Sequence, residues 1–349
     1  MRLIYLDNAA TSFPKPRCTV QAMADALETS GANPGRAGHR LSLAAGRIIE
    51  ICRQHIAEML GEADASRVAF AQNTTDALNM AIHGAVHTGD HVVSTLMEHN
   101  SVLRPLSELA RSGIITLTLV PPDADGRIHA QEIERALTAR TRLVAMTHMS
   151  NVLGLEQDVA AAGAVCRRRG VLFLVDAAQT AGHVPLKPGK WGCTMLAMPG
   201  HKGLLGPHGT GALWVRNGVT LAPLRQPGIA GLDAGMRFAL AHAREARETT
   251  AALCGMMREA LQNMTNVRVY TKEGASLLSF NVEGMASQVV AAALDEQNIA
   301  VRGGLHCAPG VHRFLGTLNI GAVRVSPGLM NTAAEAKKLI DAVWRIAKE

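Results

Sequence analysis

The sequence predicts an α/β protein in which a large domain has a mostly parallel sheet sandwiched by helices and is followed by a smaller C-terminal α+β domain. Short apolar runs of strand length alternate with helical segments as far as Val215, and this alternation is typical of βαβ units. The length of 349 residues suits one large and one small domain. Apolar residues make up 48% of the chain and aromatic residues only 3%, so the predicted core is ample and mainly aliphatic.

The predicted large domain spans residues 15–225. Its segment Leu41–Leu60 carries apolar residues at helical spacing and is expected to form a long helix. The other predicted helices are Cys18–Glu28, Ala77–Val86, Ala130–Leu137 and Asp158–Arg169. The predicted strands are Val68–Ala71, Val92–Thr95, Ile115–Val120, Leu143–Thr147, Leu172–Val175, Thr194–Met198 and Ala212–Val215.

The predicted small domain comprises residues 226–349 together with residues 1–14, which contribute a strand at Leu3–Leu6. The pattern of the chain changes after Val215, and helical sequence from Leu232 continues to about Leu261. The remaining predicted elements are strands Val267–Tyr270, Leu277–Val282 and Ile299–Val301 and helices Gln288–Glu296 and Thr332–Ala347.

Composition excludes several classes of protein. The net charge is +6, but the basic residues are dispersed and Arg167–Arg169 is their only compact run. Without interleaved aromatic residues we expect no nucleic-acid partner, and the charge suits anionic small molecules or an acidic protein. The six cysteines form no CxxC pair, so neither a disulfide framework nor a metal site is expected. No signal core or membrane-length apolar run is present, and we expect a cytoplasmic protein without a membrane partner.

Residues 172–215 carry the strongest chemical signal. The strand Leu172–Val175 delivers Asp176 at its carboxyl end, the edge of an α/β sheet where ligands bind. Lys202 follows the next strand within the run Pro199–Gly203. A desolvated lysine loses its proton easily and forms a Schiff base with a carbonyl. A carboxylate facing a pyridine nitrogen is the other half of pyridoxal phosphate (PLP) chemistry. Separately, each residue has an ordinary reading as a helix cap or a surface charge; together with Gln179 they favour PLP.

The runs Asp176-Ala177-Ala178-Gln179 and Pro199–Gly203 resemble the PLP-lysine region of the class V aminotransferase family, in its cysteine desulfurase and selenocysteine lyase branch. Further matches extend from Tyr5–Ala10 to Arg324–Ser326, so the resemblance covers nearly the whole chain. It implies the fold type I architecture of PLP enzymes, PLP as the cofactor, and a homodimer.

The resemblance also implies roles for individual residues. Lys202 would hold PLP and move the substrate's α-proton, while Asp176 would keep the ring nitrogen protonated. His99 would stack on the ring as a catalytic residue, and Asn151 would contact cofactor or substrate. The remaining implied cofactor ligands are Thr74, Thr75 and His201 on the phosphate and Gln179 on the phenolic oxygen. The implied substrate-binding residues are Asn8, Arg36, Asn151 and Arg324. Arg36 has an equally good interpretation as a solvated loop residue, and the two threonines also fit ordinary helix caps, although a helix N-terminus binds phosphate well.

The run Arg302–Pro309, RGGLHCAP, resembles the short catalytic loop of the branch that hands sulfur to a dedicated acceptor protein. The implied reaction converts L-cysteine, or selenocysteine, to L-alanine and leaves a persulfide on Cys307 for use in iron–sulfur cluster assembly. His306 would act on the proton of Cys307 or of the substrate. Gly303 and Gly304 are expected to give the loop backbone freedom.

Two departures from the family pattern leave alternatives open. Pro199 stands where many relatives have a phosphate-binding serine, and the segment Arg216–Gln226 is shorter than usual and lacks a Gly-Thr pair whose threonine reaches the other subunit's phosphate. Either the phosphate cup is trimmed or a mobile loop is missing from the sequence. The alternatives to a desulfurase are a selenocysteine lyase, another PLP-dependent lyase or aminotransferase, and a non-catalytic scaffold with weakened PLP binding.

Overall fold

The computed structural model describes residues 3–31, 40–221 and 238–348. Its central sheet has seven strands in the order β2-β8-β7-β6-β5-β3-β4. These strands are β2 (Val68–Ala71), β3 (Asp90–Thr95), β4 (Ile115–Val120), β5 (Thr141–Thr147), β6 (Leu172–Asp176), β7 (Met195–Pro199) and β8 (Gly211–Val215). Only β8 runs antiparallel to its neighbours. The carboxyl ends of the other six strands therefore meet at one edge of the sheet.

Helices cover both faces of this sheet. Alternate residues of β6 point to opposite cores, with Phe173 and Val175 in one cluster and Leu174 in the other, which explains why the strand reads as a continuous apolar run. The helices around this sheet are α1 (Arg17–Ser30), α2 (Arg40–Leu60), α3 (Thr74–Ala85), α4 (Asn100–Arg111), α5 (Ala130–Ala136), α6 (Val159–Arg169) and α7 (Pro188–Trp191).

The C-terminal part has a core of its own around an antiparallel sheet of order β12-β13-β10-β9. Its strands are β9 (Val267–Val269), β10 (Leu278–Val282), β12 (Arg302–Gly304) and β13 (Ala322–Val325), and β1 (Ile4–Tyr5) pairs in parallel with β11 (Ile299–Ala300). Its helices are α8 (Ala243–Gln262), α9 (Ser287–Asp295), α10 (Pro309–Leu315) and α11 (Ala333–Ile346). Ile4 and Leu6 are buried in this C-terminal core.

The structure differs from the sequence prediction at several places that matter for the site, and β13, which carries Arg324, is one of the strands that were not predicted. Helix α3 begins at Thr74 rather than Ala77, because Asn73 caps it by accepting the N–H of Asp76 through Oδ1. Helix α4 was not predicted; it forms despite Pro105 because Val102, Leu106 and Leu109 recur at helical spacing and are buried. The predicted strand Ile299–Val301 is shorter in the structure, where β11 covers Ile299–Ala300, and the separate strand β12 at Arg302–Gly304 was not predicted.

Several predictions lie outside the described residues. These are the substrate ligand Arg36, the end of the short segment before Pro227, and the start of the predicted helix at Leu232. The domain boundary at 225 and 226 falls in the same stretch and stays a prediction.

Candidate active site

A cavity of about 460 Å³ opens at the edge where the parallel strands end. The loops that follow β2, β3, β5, β6 and β7 supply its walls. All eight residues predicted to bind a cofactor line it, together with five others. The lining residues are Asn73, Thr74, Thr75, His99, Ser101, Thr147, Met149, Asn151, Asp176, Ala178, Gln179, His201 and Lys202.

Lys202 and Asp176 form the charged centre of the cavity. Burial lowers the pKa of Lys202 to about 8, and the nearby Asp176 carboxylate partly opposes this shift. Asp176 is only 3% exposed; burial raises its pKa, while the N–H of Ala178, which donates to Oδ1 at 2.9 Å, favours the ionised form. An amine that loses its proton near neutral pH suits covalent attachment to an aldehyde.

His99 forms one wall of the cavity at the N-terminus of α4. Its Nδ1 accepts the backbone N–H of Ser101 at 3.1 Å, and the hydroxyl of Ser101 lies 2.7 Å from both this nitrogen and the hydroxyl of Thr75. Burial, followed by the positive charge of Lys202, lowers the pKa of His99 to about 4. The ring is therefore neutral at physiological pH, which suits stacking on an aromatic ligand.

The part of the cavity at the N-terminus of α3 is suited to receive an anion. Thr74 and Thr75 occupy the first turn of α3, where backbone N–H groups and the helix dipole favour negative charge. Two buried polar atoms here, Oγ1 of Thr74 and Nδ1 of His201, have no hydrogen-bond partner among the described residues. Burying a polar atom without a partner is costly, so a ligand with oxygen acceptors would satisfy this cup.

These features fit PLP. Its aldehyde matches the amine of Lys202, its ring nitrogen matches the carboxylate of Asp176, and its phosphate matches the cup beside Thr74 and His201. Gln179 lines the same cavity and donates through Nε2 to the carbonyl of Ala9 at 3.1 Å.

Arg324 lies beside the cavity on the small-domain side; it is 1% exposed and is not among the residues that line the cavity. Its Nη2 donates to Oδ1 of Asp7 at 2.8 Å, and its Nη1 donates to the carbonyl of Asn151 at 3.1 Å. Asp7 was not predicted as a site residue. It follows β1 in sequence, and only the pairing of that strand with the C-terminal part brings it to Arg324.

Asn8, predicted to bind substrate, lies in a neighbouring pocket rather than in the cavity described above, which is called the main cavity below. Its side-chain amide donates to the carbonyl of Ser326 at 3.1 Å, and its Oδ1 accepts the N–H of Phe13 at 3.1 Å. Lys202 lines both pockets. The contacts of Asn8 thus tie the N-terminal turn to the residues after β13.

Cys307 is half-buried and opens on a groove that shares Thr75, His99 and Ser101 with the main cavity. Nη2 of Arg302 lies 3.7 Å from its Sγ. Arg302 stands at the head of the RGGLHCAP run, but sequence reasoning gave it no role. A guanidinium beside a sulfur stabilises negative charge there.

His306 faces away from the substrate side. Its ring is 2% exposed, and Nε2 donates to the carbonyl of Ala322 at 3.0 Å. Burial, with Arg324 nearby, lowers its pKa to about 2, so the ring is neutral. This geometry favours holding the Cys307 loop over moving a proton, although the catalytic role predicted for His306 stays untested.

The two glycines that precede Cys307 are needed for different reasons. A Cβ on Gly303 would lie 2.5 Å from the carbonyl oxygen of Ser287, and Gly304 has a φ of +119°. Both belong to β12. Gly303 is therefore required by close packing, whereas Gly304 uses the backbone freedom of glycine to adopt a conformation that other residues disfavour.

Glu98 was also missed by sequence reasoning. It is fully buried, and its Oε1 accepts the hydroxyl of Thr95 at 2.6 Å and the N–H of Thr147 at 3.0 Å. Burial raises its pKa to about 8. The side chain joins the ends of β3 and β5 immediately before His99, and its position next to that histidine was the only sequence signal.

Within the described residues, no group of three or more histidine, cysteine or acidic side chains is arranged to hold a metal. None of the helices that the structure describes is long and apolar enough to cross a membrane. All six cysteines lie in the described ranges, and none forms a disulfide.

Comparison with known proteins identifies the class. The family model for aminotransferase class-V matches residues 4–226 and 224–339, and the chain belongs to this family. The resemblance and the fold class predicted from the sequence are both confirmed.

Individual proteins that match the chain carry the name cysteine desulfurase. A probable cysteine desulfurase from Pseudomonas putida is 32% identical over 97% of this chain and 92% of its own length. A probable cysteine desulfurase from Methanothermobacter thermautotrophicus is 32% identical over 99% and 94%. The apo structure of a cysteine desulfurase from Thermococcus onnurineus superposes with a TM-score of 0.89 at 30% identity, covering 99% of this chain and 95% of that one.

Proposed function

We propose that this protein is a PLP-dependent cysteine desulfurase that converts L-cysteine to L-alanine and carries the sulfur as a persulfide on Cys307. The proposal rests on one observation: the cavity that contains Lys202 and the groove that contains Cys307 share part of their lining. Thr75, His99 and Ser101 line both the cavity of Lys202 and the groove of Cys307. A nucleophilic thiol thus stands beside a site suited to bind an amino acid through PLP.

The residues of the cavity divide the work of binding and proton transfer. Lys202 and Asp176 hold PLP at its aldehyde and ring nitrogen, and the α3 N-terminus with His201 holds its phosphate. Bound PLP supplies an electron sink for the substrate's α-carbon. With its pKa lowered to about 8 by burial, Lys202 takes and returns the α-proton at Nζ near neutral pH. The neutral ring of His99 packs on the cofactor.

The residues from the small domain handle the carboxylate and the sulfur. Arg324, oriented by Asp7, binds the substrate carboxylate, a task that suits a guanidinium. The Cys307 thiolate forms an S–S bond with the substrate sulfur as the substrate's C–S bond breaks, and the electron pair of that bond stays on the substrate's β-carbon, which is then protonated to give alanine. Arg302, whose Nη2 lies 3.7 Å from Sγ of Cys307, faces the thiolate before this transfer and the persulfide, charged at its outer sulfur, after it.

The proposal also covers the oligomeric state of the enzyme, its sulfur acceptor and its location in the cell. It assigns a homodimer, an acceptor protein for the sulfur, a role in iron–sulfur cluster assembly and a cytoplasmic location. Relatives named cysteine desulfurase IscS support the sulfur-transfer role. The absence of disulfides among the six cysteines suits a reducing compartment. The division into residues 15–225 and 226–349 with 1–14 is part of the same proposal.

Borohydride labelling tests the first requirement of this function. The purified protein with PLP should show a visible absorbance band that borohydride removes, and peptide mass spectrometry should find the reduced cofactor on Lys202. The variant Lys202→Ala should lose the band, the label and alanine release. Lys190→Ala is the control, because Lys190 is exposed on α7 and does not line the cavity. A label on another lysine, or a protein that takes up no PLP, would contradict the proposal and favour a scaffold.

A further inference from the structure

The loop that carries Cys307 is fastened to the large domain at two consecutive carbonyl oxygens. Nδ2 of Asn151 donates to the carbonyl of His306 at 2.8 Å, and the backbone N–H of Asn100 donates to the carbonyl of Cys307 at 2.7 Å. His306 and Cys307 have φ values of +51° and +57°, a left-handed conformation that side chains other than glycine disfavour. These two contacts, together with the hydrogen bond from Nε2 of His306 to the carbonyl of Ala322, hold the loop in this shape from outside it.

Asn151 lines the cavity and also contacts Arg324. Its backbone carbonyl accepts Nη1 of Arg324 at 3.1 Å, and its side chain lines the cavity of Lys202. Nε of Arg324 is buried and has no partner among the described residues. One residue thus joins the guanidinium assigned to the substrate carboxylate with the loop that carries the nucleophile.

We propose that Asn151 is a positioning residue that holds Cys307 in place until a substrate carboxylate takes its amide. A carboxylate bound by Arg324 is a stronger acceptor than a neutral peptide carbonyl, because hydrogen bonds to an ionised group are roughly twice as strong. Turning the amide to bind this carboxylate takes Nδ2 away from the carbonyl of His306. The loop then keeps the contact to Asn100 and the hydrogen bond from Nε2 of His306 to the carbonyl of Ala322, so its left-handed residues lose one of the contacts that hold them.

The consequence is that Cys307 becomes mobile when an amino acid has entered. Its thiolate must move to reach the substrate sulfur and must then present the persulfide to an acceptor. With the site empty, the same hydrogen bonds keep the thiol half-buried beside Arg302. This inference rests on the proposed function only in taking the ligand to be a carboxylate.

The alkylation rate of Cys307 measures this release. The protein with PLP is treated with iodoacetamide, and peptide mass spectrometry follows Cys307 in the presence of propionate or of its neutral analogue propionamide. Propionate should speed alkylation several-fold in a saturable way, and propionamide should not. Cys18, exposed on α1, provides the internal reference. A Cys307 rate that propionate leaves unchanged or slows would overturn the proposal.

Substitution of Asn151 provides a second test in the same alkylation assay. Asn151→Ala should raise the Cys307 rate without propionate and abolish the response to it. Asn151→Asp, which keeps the size but removes the amide donor, should do the same and serves if the alanine variant is unstable. Asn79→Ala is the matched control, because Asn79 lines the same groove but donates to the carbonyl of Thr75. Wild-type rates in both Asn151 variants would contradict the proposal.

The test separates this inference from the proposed function. Alkylation requires neither turnover nor a sulfur-containing substrate. A protein that releases no alanine from cysteine yet responds to propionate through Asn151 would keep the inference and lose the function. A protein that releases alanine while substitution of Asn151 has no effect on the alkylation of Cys307 would keep the proposed function and lose the inference.

Discussion

Burial sets the charge of three side chains at the candidate site. It lowers the pKa of Lys202 to about 8 and that of His99 to about 4, and it raises the pKa of Glu98 to about 8. At neutral pH the imidazole is therefore neutral and the Glu98 carboxyl holds its proton. The lysine gives up its proton far more readily than an exposed one.

Glu98 gives a prediction with a defined sign. Its native pKa lies above the unfolded value of 4.5, so between about pH 4.5 and 8 the native state binds more protons than the unfolded state. Stability contributed by this group is therefore complete below pH 4.5 and falls as pH rises, by at most about 1.4 kcal/mol per pH unit. Glu98→Gln keeps the shape without a titrating proton. Its unfolding midpoint should rise relative to wild type between pH 5 and 8, as measured by thermal melts.

The matched control for Glu98 is Glu108→Gln on the exposed face of α4. The Arg111 hydrogen bond and charge lower the pKa of Glu108, so this variant should show no relative gain over the same pH range. A Glu98→Gln midpoint that stays parallel to wild type from pH 5 to 8 would show that Glu98 is ionised in the folded protein.

Sequence reasoning at this scale found the residues that stand in compact motifs and missed those defined by distant partners. Lys202 and Asp176 could be predicted because each follows a buried strand. Asp7 could not, because its partner Arg324 is 317 residues away. Arg302 and Glu98 stood beside predicted residues, yet only packing shows that one reaches Sγ of Cys307 and the other bridges two strand ends.

At the scale of elements, a substitution at the N-terminus of α3 tests whether this region binds the phosphate of PLP. Thr74→Val keeps the shape of the side chain and removes a hydroxyl that has no partner among the described residues, so the fold should be as stable as wild type without PLP. Loss of one hydrogen bond to a phosphate costs roughly 1.5–3 kcal/mol, or about one to two decades in affinity. A PLP titration followed by absorbance should show this weakening.

Asn73→Ala is the contrasting variant on the same helix. It removes the cap that accepts the N–H of Asp76, which should lower stability by about 0.5–2 kcal/mol even without PLP. If Thr74→Val binds PLP as tightly as wild type, the unpartnered hydroxyl does not face the phosphate.

The predicted strands of the large sheet match the structure closely because most are short apolar runs buried on both faces, while the edge strand β4 alternates threonine with apolar residues. Helix α4 was missed because Pro105 interrupts its local propensity, while burial of Leu106 and Leu109 outweighs that cost. The start of α3 was placed too late because threonines also suit a turn before a helix. The error at α4 falls where tertiary packing overrides local preference, and the error at α3 falls where the local cap by Asn73 sets the start of the helix.

At the scale of the whole molecule, α1 presents an apolar stripe that the described residues do not cover. Val20 and Leu27 are 59% and 78% exposed, and their spacing puts them on one face of the helix. The proposed homodimer would bury this stripe, because exposed apolar surface of this kind is typical of an interface. Sedimentation velocity over a concentration series should show a wild-type dimer, and Leu27→Lys should shift it toward monomer.

Glu28→Gln makes the same one-unit charge change at the next, exposed position of α1 and should leave the dimer intact. A wild-type monomer at every concentration would contradict the dimer. An equal effect of both substitutions would place the interface elsewhere on the chain.

Product stoichiometry on Cys307 tests the central claim most directly. In a single turnover without an acceptor, the protein with PLP and L-cysteine should release one alanine per persulfide formed, and mass spectrometry should find the added sulfur on the Cys307 peptide. Cys307→Ser should keep its PLP but release alanine only at background level. Alanine release without sulfur on Cys307, or with sulfur only on another cysteine, would contradict the account.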